Sequence, residues 1–192
     1  MSSTVKAVAV ATSVLLAGAA VLMFLVGRAD AARELPPMAV ETITADPSVK
    51  LVKTLAIPRS VDGCTGYRVG APAARRLGNT PDTATTLMLP NASSVYLTCM
   101  GPTSKWGPLR EFIAWKLKHK LDGGIRTLPT VTEVLSPFGA AIRTETAVGS
   151  KTLTEWFTQR DGMIWGVGCL HQQDDTSFRP VIEAMLASWS WS

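Results

Sequence analysis

Polar and hydrophobic positions along this chain fall into blocks of different period. Residues 7–26 carry no charge and are predominantly apolar, with Lys6 before them and Gly27-Arg28 after. About 20 such residues rise about 30 Å as a helix, the thickness of a hydrocarbon core. The block predicts a transmembrane helix with Ala7, Leu15, Gly18, Phe24 and Val26 inside the span. A secretory signal cut near Ala31, at the small-residue triplet Ala29-Asp30-Ala31, is the alternative. Residues 29–48 contain Pro36, Pro37 and Pro47 without a clear period and predict a stalk.

Beyond the stalk the period shortens. Residues 49–57 predict a first strand, and the Gly-, Ala- and Pro-rich residues 70–84 predict a loop. Residues 85–89 and 94–100 predict strands; in the second, Val95, Leu97 and Cys99 alternate with Ser94, Tyr96 and Thr98. Gly107-Pro108 then opens a helix whose apolar stripe is Leu109, Phe112, Ile113, Leu117 and Leu121. Residues 140–146 and 153–159 predict two further strands, and Asp161-Gly162 predicts a tight hairpin from the latter into residues 163–171. A last helix follows Asp174-Asp175-Thr176, with Phe178, Val181, Ile182, Met185, Leu186 and Trp189 on one face. Together the blocks predict an α+β protein: an N-terminal transmembrane helix (residues 1–28), the stalk (29–48) and an extracytoplasmic domain (49–192). In that domain an antiparallel sheet packs with two main helices.

Composition fits one domain plus an apolar segment. Of 192 residues 46% are apolar and 18% charged. A soluble domain usually has about 25% charged residues. The apolar content excludes an intrinsically disordered chain. Net charge is +4, and removing residues 1–32 leaves 17 basic against 14 acidic groups, or +3. That balance does not point to nucleic acid. The one dense basic cluster is Lys116, Lys118, His119 and Lys120. It reads either as the wet face of an amphipathic helix or as a surface for an anionic partner. Trp115 falls off the apolar stripe beside it, so Trp115, Lys116, Lys118 and Lys120 form the candidate partner surface.

Candidate chemistry is sparse. Cys64, Cys99 and Cys169 form no CxxC pair, and an exported domain could join two of them, with the pairing open. No fourth ligand completes a metal site. The sequence contains no nucleophile elbow, phosphate loop or zinc-protease motif. His119 sits among like charge and His171 ends a strand. Gly166-Val167-Gly168 reads as room for a helix or an aromatic ring to approach the sheet rather than as a dinucleotide site. Glu145 and Glu155 could approach across neighbouring strands, and the six tryptophans read as core or as a binding surface. No catalytic residue and no cofactor is expected.

Four stretches carry a resemblance. They are Pro108-Leu109-Arg110-Glu111-Phe112, Phe138-Gly139-Ala140-Ala141, Trp156 through Asp161-Gly162 to Trp165, and Ile182 through Leu186-Ala187-Ser188-Trp189-Ser190-Trp191. In that order residues 85–191 resemble the PsbP-like fold of photosystem extrinsic subunits and bacterial envelope proteins. The resemblance implies a non-enzymatic domain that binds partner proteins or assists assembly. The expectation is thus a single-pass, membrane-anchored binding or assembly module facing outside the cytoplasm, or an accessory subunit of a larger membrane complex. Its partners would be the membrane and a protein, with the small-molecule ligand unknown.

Overall fold

The computed structural model describes residues 35, 38–59, 63–80, 84–90, 93–122 and 130–192, side chains excepted at 75–80, 84 and 120–122. The period-two stretches form strands: β1 (Ala39–Thr42), β2 (Lys53–Ile57), β3 (Tyr67–Ala71), β4 (Arg75–Thr80), β5 (Ala84–Met88) and β6 (Ser94–Pro102). A four-residue helix, α1 (Thr103–Trp106), and a longer one, α2 (Leu109–Asp122), come next. They are followed by β7 (Thr130–Ser136), β8 (Gly139–Val148), β9 (Lys151–Arg160), β10 (Met163–Gln172), α3 (Phe178–Ala187) and β11 (Ser190–Trp191).

Eight strands form one sheet in the order β1-β7-β8-β9-β10-β6-β5-β4, and β11-β3-β2 form a second sheet. The run from β7 through β10 is an antiparallel meander. Its last two-residue turn is Asp161-Gly162, where both residues have positive φ (49° and 73°) and Arg160 pairs with Met163. Positive φ at both turn residues matches the right-handed twist of the strands.

The central strands are buried on both faces, over residues 154–158 of β9 and 163–169 of β10. Packing explains this. On one face α2 lies along β9, with Phe112 edge-on to Phe157 at 5.4 Å. The opposite face holds Val95, Leu97, Cys99, Trp165, Val167 and Cys169, and there α3 and the second sheet close the core. Tyr67 of β3 stacks on Trp189 at 4.5 Å and meets Trp165 at 5.3 Å, while Phe138 meets Trp189 at 4.7 Å.

Two expectations are corrected. The sheet is mixed rather than purely antiparallel, and strand dominates the fold. β1, from the stretch read as a stalk, pairs parallel with β7, Ala39 opposite Thr132 and Thr42 opposite Leu135. Its four residues are too short and too exposed to show a period. A second sheet, absent from the expected plan, forms because Tyr67, Val69 and Ala71 alternate inward. The second correction concerns the membrane. Among the described residues no helix is long and apolar enough to cross one, and this overturns the single-pass transmembrane expectation. A span needs about 20 predominantly apolar residues. The helix α2 has 14 and carries Arg110, Glu111, Lys116 and Lys118. The segment with Ala7, Leu15, Gly18, Phe24 and Val26 lies outside the described residues.

Candidate functional site

Helix α2 has an inward and an outward side, and the candidate surface is divided between them. Phe112 and Ile113 are buried against the sheet. One turn on, Lys116 also points inward. Its ammonium lies 3.0 Å from Oε1 of Glu155 and 5.1 Å above the Phe157 ring. Glu155 is 2% exposed. Another close partner is the Tyr96 hydroxyl, which donates to the same carboxylate oxygen. Tyr96, Gly168 and Glu155 lie in one row across β6, β10 and β9. The Tyr96 ring crosses directly over Gly168, and a Cβ there would fall inside that ring. Burial, and then the Glu155 charge, push the Tyr96 hydroxyl pKa far above its usual value, so it stays a donor. Lys116 thus belongs to an internal network, not to a surface cluster.

The outward side carries an aromatic shelf. Trp115 is 41% exposed, the only large aromatic residue among the exposed large hydrophobic side chains described. It lies 5.1 Å from Trp106 of α1 and 4.3 Å from the His119 ring. The chain turns at Gly107 (φ 80°) to bring Trp106 beneath α2, and the Trp106 indole N–H donates to the carbonyl of Met100 at 2.8 Å. Lys105 lies 4.6 Å over the Trp106 ring. Lys118 and His119 are exposed, and His119 Nδ1 is 2.9 Å from the Trp115 carbonyl. The Lys120 side chain lies outside the described part. The structure therefore keeps Trp115 and Lys118 at one surface, turns Lys116 away, and adds Trp106, Lys105 and His119. Trp106 escaped sequence reasoning because the Gly107-Pro108 break separates it from the helical stripe. The only signal was a Trp on each side of that break.

The remaining candidates are placed elsewhere. Cys64 and Cys99 form a disulfide with Cα atoms 6.2 Å apart, tying the approach to β3 onto β6. Cys169 is a buried free thiol whose pKa burial pushes up to about 12. His171 is buried. Its ring stacks on Phe178 at 3.7 Å, with Nε2 3.0 Å from the Thr154 hydroxyl and Nδ1 2.7 Å from the Gln172 carbonyl. Glu145 and Glu155 occupy opposite faces of the sheet, since Glu155 pairs with Thr144 and Glu145 with Thr154. Asp175 accepts from the amide and hydroxyl of Ser177, which holds its carboxyl below the usual range. Among the described residues no group of three His, Cys, Asp or Glu could hold a metal.

A third feature is an open apolar groove of about 380 Å³ beside the start of α3. Val49, Lys50, Pro72, Leu89 and Val181 are among the residues that line it, and Lys50 is exposed.

No family model matches this chain, and no curated protein matches it. Among solved structures it is similar to a protein from Bacteroides thetaiotaomicron, with a TM-score of 0.43 and 8% identity over 74% of this chain and 49% of that one. The chain spans about half the length of that protein, and so loose a likeness says nothing about activity.

Proposed function

We propose that the domain is a non-enzymatic module that binds an acidic protein partner outside the cytoplasm, through the Trp106–Trp115–His119 shelf. The observation that carries this reading is the exposed Trp115, held on Trp106 and flanked by Lys105 and Lys118. Trp is among the residues that dominate binding energy at interfaces, and flanking cations select an oppositely charged partner. The Cys64–Cys99 disulfide supports a location in an oxidising compartment. The commitment of Glu155, Arg143 and His171 to internal partners supports a binding role over catalysis. The resemblance of residues 85–191 to the PsbP-like fold points the same way.

A peptide library displayed on phage and panned on the whole chain tests this. Enriched peptides are expected to be rich in Asp and Glu, and Trp115→Ala is expected to weaken them at least tenfold, as hot-spot truncations do. Lys118→Glu is expected to weaken them further as salt is lowered. Failure to enrich acidic sequences, or equal binding by Trp115→Ala, overturns the reading.

A further inference from the structure

From the groove beside α3 we infer a second binding site, one that takes a small anionic amphiphile: a single apolar chain ending in a carboxylate. Its volume of about 380 Å³ falls within the range of about 300–1,000 Å³ found for small-molecule sites. The lining comes from four separate segments of the chain. Val49 precedes β2, Pro72 follows β3, Leu89 precedes β6 and Val181 lies on α3. Each offers apolar surface, so the floor suits a hydrocarbon chain.

The rim decides the head group. Lys50 is exposed there and makes no ion pair among the described residues. Asp46, four positions before it, and Asp175, two before the lining residue Ser177, have hydrogen-bond partners of their own. Asp46 accepts from the amide and hydroxyl of Ser48 at 2.8 and 2.7 Å, and Asp175 accepts from those of Ser177 at 2.8 and 2.6 Å. An ammonium at the mouth of an apolar groove complements a carboxylate whose tail lies inside. The ligand's charge meets Lys50 while its chain leaves water.

Equilibrium dialysis of the full chain against decanoate, decanol and decyltrimethylammonium, all below micelle formation, tests the site. Decanoate is expected to bind saturably, about fivefold tighter than decanol, the gain of one exposed ion pair. Decyltrimethylammonium is expected to bind weakest. Ala73→Trp, at an exposed position of the lining, fills the groove and is expected to weaken decanoate at least tenfold. Lys50→Glu is expected to reverse the order, so that decyltrimethylammonium binds better than decanoate. That reversal cannot come from misfolding, and near-ultraviolet circular dichroism confirms each variant's packing. Decanoate binding weaker than about 1 mM, unchanged binding in Ala73→Trp, or an unaltered order in Lys50→Glu overturns the inference.

Discussion

Gly168 sits under the Tyr96 ring, and the smallest side chain there would overlap that ring. Gly168→Ala must push Tyr96 off Glu155, which combines overpacking with the loss of a charged hydrogen bond. A cost of about 3 kcal/mol is expected by urea unfolding. Gly149 makes the contrast. It has φ 61° and open space around it, so Gly149→Ala is expected to cost only about 1 kcal/mol, from backbone conformation alone. Cys169 is a third case. Burial keeps it a thiol, so iodoacetamide at pH 8 is expected to leave it unmodified in the native protein and to label it once urea unfolds the chain. Labelling of the native protein at the unfolded rate would show that β10 opens at that point.

At the scale of elements, β1 depends on electrostatics. Arg143 donates to both Glu41 oxygens at 2.8 and 3.1 Å, and Arg179 reaches the same carboxylate at 2.9 Å. The hydrogen bond from Arg143, with the two positive charges, holds the Glu41 carboxyl below its usual range. A lowered carboxyl pKa adds stability that is present above its ordinary value of about 4.3 and lost as pH falls through the lowered one. The Ile43 amide, which donates to the Leu135 carbonyl at 2.9 Å, is expected to be protected from hydrogen exchange at pH 6 and to lose protection below about pH 4. Glu41→Gln is expected to lose it already at pH 6. Elements with strong periods were legible in sequence: α2, α3 and the β9–β10 hairpin follow their apolar stripes and the Asp161-Gly162 turn. β2, β5, β6 and β8 likewise fall on stretches read as strands, whereas β1, β3, β4 and β7 lacked such a signal. β3 is only five residues long and runs into Pro72. β4 falls in a Gly- and Arg-rich stretch. The alternation in β7 (TVTEVLS) is broken by Leu135, which faces solvent. At the candidate site, Trp115 was legible because it breaks a helical stripe. The inward turn of Lys116 was not, because its cause is Glu155, 39 positions away on a strand whose neighbours only the fold defines.

For the whole molecule, the Cys64–Cys99 bond joins the second sheet to the first across 35 positions of sequence. Closing a loop of that length in the unfolded chain is worth about 3–4 kcal/mol. Reduction with dithiothreitol is expected to lower the melting temperature by about 10 °C in a domain of this size. A change under 2 °C would mean that the aromatic contacts alone hold the two sheets together.

Those contacts have an optical consequence. Tyr67, Trp165, Trp189 and Trp191 touch in a closed circuit, at 5.3, 5.6, 5.3 and 4.5 Å, and they come from β3, β10, the end of α3 and β11. Chromophores held so close in a fixed, asymmetric array exchange excitation and give strong circular dichroism between 260 and 300 nm. That signal would vanish when the small sheet lifts from the large one, even if every strand kept its hydrogen bonds. The molecule thus carries its own gauge of docking between its two sheets, readable without a label.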